Sequence, residues 1–395
     1  MINLGVFFGG RSVEHEVSVI SALQAIRSLD TSKYNIIPVY ITKTGEMYVG
    51  DKVGDISAYK DIKSLLAASK KVIMINDGQN VVLTEYPKKL FGDKPIRIDV
   101  AFPIVHGTNV EDGTLQGFFK TLGVPFVGSD VTASAVGMDK YVQKCVLKCN
   151  SVPVLDALHF TLSDYKDIDK TVEKIEKEIG YPVIIKAANL GSSVGISVAR
   201  NRDMLYRSID DSFRYSRTVI AEHAIDKLRE INCAVLGDDT DAIASEIEEP
   251  FHSKEILSYA DKYESGGKGG KTASAGMAGV SRKIPADVPQ EIREKIRSLA
   301  VKSFKMLGCN GVARLDFMID EENGNIYFNE INTIPGSLAF YLWEPVGIKY
   351  PDLLDRMVEL ALKRARENNE ITFSFDTNIL AGGNSFGAKG AKSGK

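Results

Sequence analysis

The sequence predicts an α/β protein that opens with a doubly wound parallel-sheet domain. Three observations carry this expectation. At 395 residues the chain exceeds one compact core, and about 150 residues per domain implies two or three units. Apolar residues at 44% and charged residues at 26% make an ordinary globular balance, which excludes wholesale disorder and a coiled coil. Short β-branched runs alternate with glycine turns and helical patterns from the first residues onward, the order in which parallel sheets are built.

Each element follows from local pattern. Leu4–Phe8 is an apolar strand closed by Gly9-Gly10, and a helical pattern then runs from Ser12–Glu16 through Ser21–Leu29. Ile36–Ile41 and Val100–Val105 read as further strands, while the more polar residues 45–95 read as an insertion or an elaborated edge. A second unit begins near Gly128, with helical periodicity over 131–148, the strand Val183–Lys186 and the small-residue loop Ala187–Gly195. A third unit spans about 219–365 and carries strands at Thr218–Ala221, Ile231–Leu236, Val312–Ile319 and Ile326–Ile331. The Gly/Lys/Ser stretch Ser265–Lys271 is expected to be a surface loop, and the run from Ala381 a flexible tail.

Charge and cysteine usage narrow the class. Basic residues number 49 and acidic residues 52, a net charge of −3, which argues against nucleic acid held by a global positive field. The absence of an 18-residue apolar run gives no expected membrane span, and the N-terminus reads as a strand rather than a signal peptide. Four cysteines without a CxxC pair fit a reduced, cytoplasmic setting; Cys145 and Cys149, four apart in a helical pattern, are expected on a buried face. The histidines show no zinc-ligand spacing.

Candidate chemistry concentrates in a few segments. In Val312–Ile319 alternation places Arg314 and Asp316 on one face, and Glu330 and Asn332 share the same spacing on the next strand. The link Asp320–Asn325 suits a hairpin, whose pairing gathers Asp316, Glu330 and Asn332 into an all-oxygen site suited to Mg²⁺ on phosphates, with Arg314 beside it. Lys186 precedes Gly191–Gly195, a loop through which backbone N–H groups can approach phosphate, and Lys140 is a second candidate. Glu222 and Glu230 have the spacing to hold ribose hydroxyls. His106 ends a strand beside Glu111, Asp112 and Gly113. Glu14, His15 and Glu16 follow Gly9-Gly10, where a doubly wound sheet binds ligands, and one carboxylate there could fix an ammonium group. Gly9-Gly10 is no GxGxxG fingerprint, so a dinucleotide is not indicated.

Four segments in order resemble the D-alanine–D-alanine ligases of the ATP-grasp superfamily, over nearly the whole chain to about residue 360. They are Val6–Ser18 (VFFGGRSVEHEVS), His106–Gly117 (HGTNVEDGTLQG), Lys186–Ile196 (KAANLGSSVGI) and Gly311–Gly336 (GVARLDFMIDEENGNIYFNEINTIPG). Met138-Asp139-Lys140, Arg229-Glu230-Ile231 and Asp261-Lys262-Tyr263 add support. The resemblance implies a three-domain ATP-grasp fold: an N-terminal α/β domain over 1–130, a central subdomain over 131–222, a C-terminal subdomain over 223–365 and a tail over 366–395. It implies ATP and Mg²⁺ (or Mn²⁺) as cofactors, small amino acids as substrates, no nucleic-acid or membrane partner, and a homodimer.

By similarity, Lys140, Lys186 and Lys262 contact ATP phosphates, Glu222 and Ala224 lie at the adenine edge, and Glu230 lies at the ribose. Asp316, Glu330 and Asn332 hold Mg²⁺. Glu16, linked to Ser192 and Tyr263, binds the first substrate's ammonium, His106 lies near its carboxylate, and Arg314 with the Gly336 amide stabilises the tetrahedral intermediate. The implied reaction is ATP-dependent joining of two D-alanines through an acyl phosphate, for peptidoglycan precursors. The Ser253–Gly279 stretch would close as a lid.

The chain departs from the family at Val110, at Ala187 and above all over Ser337–Pro345, which has no serine at the place that binds the second substrate's carboxylate. An acceptor other than D-alanine (D-serine, D-lactate or another small amino acid) is therefore an open alternative, as is, less favourably, a non-catalytic ATP-binding relative. Tyr263 matches amino-acid-accepting relatives rather than the D-lactate type.

Overall fold

The computed structural model describes residues 1–88, 94–191, 195–250 and 282–375. In the first hundred residues β1 (Ile2–Gly9), β2 (Tyr34–Ile41), β3 (Met47–Val49), β4 (Lys70–Asn76), β5 (Val81–Glu85), β6 (Ile96–Arg97) and β7 (Val100–Pro103) form one sheet, ordered β6-β5-β4-β3-β2-β1-β7. β1 is parallel to both β2 and β7, and the helix His15–Ser28 makes the β1-to-β2 crossover. β2 through β6 are antiparallel neighbours, so residues 45–95 are an elaborated edge. The β2–β3 and β4–β5 links are short enough only for hairpins, whereas the β3–β4 link carries the short helices Ile56–Lys60 and Ile62–Ala67.

The central sheet, β8 (Ala157–Thr161), β9 (Val183–Ala187), β10 (Ile196–Ala199) and β11 (Thr218–His223), is antiparallel in the order β10-β9-β11-β8. Phe160, Ile185 and Val219 bury one of its faces against Val172 and Ile175 of the helix Ile168–Glu178 and Leu205 and Ile209 of the helix Arg202–Phe213. The third sheet holds β12 (Leu228–Gly237), β13 (Ala242–Pro250), β14 (Arg282–Lys283), β15 (Gly311–Asp320) and β16 (Asn325–Asn332), ordered β14-β13-β12-β15-β16 and antiparallel throughout.

Packing redraws two expected boundaries. The periodic stretch 131–148 is two helices, Val131–Met138 and Lys140–Cys149, because Asp139 leaves helical geometry and its carboxylate accepts from the Tyr141 and Val142 N–H groups. Both helices pack with the third sheet rather than the central one: Ala133 and Leu147 share a core with Ile231, Leu315, Phe317 and Phe328. The helix Tyr350–Asn369 crosses residue 366, so the expected tail starts later; residues 376–395 lie outside the described residues. That helix buries Leu353, Leu354, Met357 and Val358 in the N-terminal core, together with Trp343. Its Arg364 donates to the carbonyls of Phe126 and Gly128 at 2.6 Å each, tying the last helix to the first domain. Among the described residues no helix is long and apolar enough to cross a membrane.

Candidate active site

The cationic half of the site grows from the helix Lys140–Cys149. Its buried residues are Lys140, Gln143, Lys144 and Leu147, so Cys145 and Cys149 are exposed, against the sequence expectation. Hydrophobic appearance misleads here because this helix turns a polar face inward. Lys186, near the end of β9, and Glu222, on the adjacent β11, meet at 2.7 Å, and Lys144 takes the other oxygen of the same carboxylate. Lys186 also donates to Asn329 Oδ1 at 3.1 Å. Burial alone would raise the Glu222 pKa, but the charges of Lys144 and Lys186 hold it down to about 2. Burial pushes the Lys144 ammonium down against the pull of Glu222. Lys144 was not among the sequence candidates, although its i, i+4 spacing from Lys140 puts it on the same helix face. Lys140 donates to Leu190 O at 2.6 Å and lies 2.9 Å from Glu330.

The anionic half is a row across four strands. Register aligns Glu248 of β13 with Asn232 of β12, Asn232 with Asp316 of β15, and Asp316 with Glu330 of β16. Arg314 pairs in register with Asn332 and grips Asp316 through two hydrogen bonds of 2.7 Å, while Asn332 donates to Asp316 at 3.2 Å. The hairpin thus gathers Arg314, Asp316, Glu330 and Asn332 as the sequence spacing predicts. Burial, followed by the neighbouring charges of Glu330 and Glu230, raises the Asp316 pKa despite Arg314.

The N-terminal domain supplies a third group and places two expected side chains, Glu16 and His106, differently. Glu16, expected to bind an ammonium, is 61% exposed and pairs with Lys43 at 2.6 Å on the outer side of its helix. Glu14 is the buried carboxylate: a Cβ on Gly107 would stand 2.8 Å from its Oε2, and one on Gly191 3.1 Å. Only a chain without side chains at those two places lets the loops close on it. His15 is structural, bonded to Gly10 O at 2.7 Å and Tyr40 Oη at 2.9 Å. His106, expected at a substrate carboxylate, is buried with Nδ1 at Ile334 O (2.8 Å) and Nε2 at Ser21 Oγ (3.0 Å), and burial lowers its pKa to about 4. Beside it Glu111 accepts from Gly107 N and Ile334 N at 2.9 Å each; burial, then the nearby Glu14 charge, raise its pKa to about 8. His106 and Glu111 therefore clamp both backbone groups of Ile334, and Ser21 accepts from Ser337 N at 2.9 Å, fixing the segment on either side of Gly336.

Of the two residues expected at the adenine edge, Glu222 holds two lysines with its carboxylate, and the Ala224 N–H donates to Pro182 O at 3.0 Å. Glu230 lies on β12, two residues from Asn232. Ser192, Lys262, Tyr263 and the proposed lid Ser253–Gly279 fall outside the described residues. After Gly336 the chain makes a tight turn in which Ser337, Leu338 and Ala339 hold φ of 52°, 53° and 49°, left-handed geometry that costs roughly 1–2 kcal/mol for each non-glycine residue. Trp343 is wholly buried in the N-terminal core, whereas Tyr341 reaches the sheet row, its hydroxyl 3.2 Å from Glu248.

Models of the D-ala D-ala ligase N-terminus and C-terminus match residues 3–129 and 146–359. The chain belongs to the D-alanine–D-alanine ligase family. It is accordingly a ligase of an ATP-using family. A D-alanine–D-alanine ligase of Thermosipho melanesiensis is 38% identical across 96% of this chain and 98% of its own, and one of Acetivibrio thermocellus is 40% identical across 92% and 96%. Among solved structures, the D-alanine-D-alanine ligase from Coxiella burnetii superposes with a TM-score of 0.76 at 28% identity, covering 93% of this chain and 96% of that one. The VanG D-Ala:D-Ser ligase from Enterococcus faecalis superposes with a TM-score of 0.75 at 30% identity, covering 91% and 99%. The family's fold is the three-domain ATP-grasp architecture expected from the sequence.

Proposed function

We propose that this chain joins two D-alanines to D-alanyl-D-alanine in the cytoplasm, spending ATP, for peptidoglycan precursor synthesis. The observation that carries the reading is the meeting of the two halves of the site, Lys140 on Glu330 at 2.9 Å, which brings a lysine cluster for a polyphosphate against an oxygen-donor row. Lys140 and Lys186 receive the phosphates, with Glu222 and Lys144 setting the direction of Lys186 and Lys262 as a further phosphate contact. Asp316, Glu330 and Asn332 offer only oxygen donors, crowded enough that Asp316 resists ionisation, a donor set that fits Mg²⁺, with Mn²⁺ as a substitute. The bound ion would neutralise phosphate charge during transfer.

Glu14 takes the ammonium of the first D-alanine, in place of the exposed Glu16. The carboxylate of that substrate attacks the γ-phosphorus, ADP leaves, and an acyl phosphate forms. The amine of the second substrate then attacks the acyl carbon, loses a proton, and expels phosphate. Arg314 and the Gly336 amide, held by the His106–Glu111 clamp, stabilise the oxyanion. The family resemblance supports a homodimer, and Glu230 serves the ribose. D-serine is the second acceptor to consider, favoured by the likeness to a D-Ala:D-Ser ligase and by the absence of the family's serine in Ser337–Pro345.

The test is phosphate release from ATP and Mg²⁺ with D-alanine alone, with the product identified by mass. D-Alanyl-D-alanine in a 1:1 ratio to phosphate is the expected result. Phosphate without dipeptide would replace D-alanine as acceptor, and no phosphate would reject the reading.

A further inference from the structure

Resting on the ligase reading, we infer that Gln143 is a positioning residue. It pegs the strand that carries Glu330 and Asn332 to the helix that carries the phosphate lysines, and so sets where a metal ion and a nucleotide's phosphates meet.

β16 ends the third sheet, with β15 as its one ladder partner among the described residues, so the polar groups along its outer side need partners from elsewhere. At Phe328 that partner is backbone, the N–H donating to Pro153 O at 2.8 Å. At Ile331, between Glu330 and Asn332, it is a side chain: Ile331 N donates to Gln143 Oε1 at 3.0 Å. Gln143 is wholly buried, and its Nε2 donates to Gly137 O at 3.4 Å, so both ends of the amide are committed. A Cβ on Gly137 would stand 2.8 Å from Thr333 Cγ2 and 3.4 Å from Ile331 Cγ2, so the glycine lets the helices lie close against this strand.

The same helix face holds the lysines. Lys140, Gln143 and Lys144 stand at i, i+3 and i+4, which turns all three inward. Lys140 N donates to Ala188 O at 2.8 Å, tying the start of the helix to the loop after Lys186, while Lys140 Nζ lies 2.9 Å from Glu330. On the strand, Asp316 faces Glu330 and Phe317 faces Phe328, which makes Asn329 the extra residue of a bulge, and its Oδ1 accepts from Lys186 at 3.1 Å. Asn329, Glu330 and Ile331 are thus each gripped from the phosphate side. Phosphate oxygens compete for the two lysine contacts, because the same ammonium groups receive them in the ligase reading. The Gln143 bond is neutral and buried, and it keeps the spacing when the lysines turn to the nucleotide. Mg²⁺ demands near-ideal octahedral geometry, so a small displacement of Glu330 and Asn332 weakens the metal more than the phosphates.

The experiment measures ADP binding to the full-length protein by titration calorimetry, once in EDTA and once in saturating Mg²⁺. The ratio of the two dissociation constants is the coupling between metal and nucleotide, and it does not depend on the fraction of protein folded. The wild type should bind ADP more tightly with Mg²⁺. Gln143→Met, similar in length but a poor acceptor, orphans the Ile331 N–H and should cut the ratio by about tenfold, leaving the affinity in EDTA nearly unchanged. Gln143→Glu keeps an acceptor at the same reach and should retain most of the ratio. A Gln143 that serves the fold alone would weaken ADP alike in both conditions. An unchanged ratio in Gln143→Met, or a ratio lost as fully in Gln143→Glu, would overturn the inference. A wild type whose ADP affinity ignores Mg²⁺ would reject the metal site of the ligase reading, and the inference with it.

Discussion

Two charged clusters face each other across the site, and they are built on opposite principles. Where the helix Lys140–Cys149 meets the central sheet, Lys144 and Lys186 share one buried carboxylate, Glu222, whose pKa is held down to about 2. On the third sheet Asp316, Glu330 and Glu230 crowd together, and burial with that crowding raises Asp316 even with Arg314 bonded to it. The first cluster carries excess cation and is finished by its own anion. The second carries excess anion, which in the proposed reading a metal ion arriving with the nucleotide would balance. The difference teaches that position along a reaction path, rather than burial alone, decides how completely a buried charge is neutralised by the protein itself.

The largest expected effect lies in the finished cluster. Glu222→Ala leaves two buried ammonium groups facing each other and should cost about 3–5 kcal/mol in denaturant unfolding. Because the folded pKa of Glu222 lies below the ordinary 4.5, its stabilisation is present above that value and is lost as pH falls toward 2. An Ala variant with wild-type stability would show that the two lysines do not depend on this carboxylate. In the other cluster Arg314→Met strips buried Asp316 of its partner and should itself cost stability, and in the folded fraction, counted by active-site titration, it should lower kcat by about 10²–10³, as removal of an oxyanion donor does. A loss confined to KM for ATP would move Arg314 out of the reacting centre.

Glu111 extends the contrast to pH. Its folded pKa, about 8, lies above the ordinary 4.5, so the fold holds a proton that the unfolded chain releases. The stability it contributes is full below about 4.5 and falls as pH rises toward 8. Unfolding curves across that interval should slope downward for the wild type and less for Glu111→Gln; identical slopes would place the charge of Glu111 elsewhere. The smallest effects come from the first helix. Glu14→Gln should raise KM for the first D-alanine by about tenfold to a hundredfold, the span for one charged hydrogen bond, while Glu16→Gln, exposed on Lys43, should stay within about 0.5 kcal/mol of wild type in stability. Equal effects of the two substitutions on KM would undo the assignment of Glu14.

Much of this protein was determined by sequence alone. The hairpin Gly311–Asn332 is a local object: alternation and a short turn fix which side chains share a face, so Arg314, Asp316, Glu330 and Asn332 could be placed together without knowing anything distant. The parallel strands at the N-terminus and the elaborated edge follow from equally short-range patterns. Tertiary structure alone decided the matters that depend on which side of a helix faces a neighbour. Glu14 and Glu16 are two positions apart, yet only the closure of Gly107 and Gly191 on Glu14 shows which carboxylate is inside. The face of Lys140–Cys149 that looked apolar is exposed, because the inward face meets Glu222 and Glu330 from other strands. His106 and Glu111 are spent on a backbone segment more than two hundred residues later in the chain, and Arg282 meets Tyr341 and Glu248 only where two strands and a turn converge. Local pattern sets which residues lie side by side on one element; the direction of a buried charge is set by its partner, and that partner is brought by the fold.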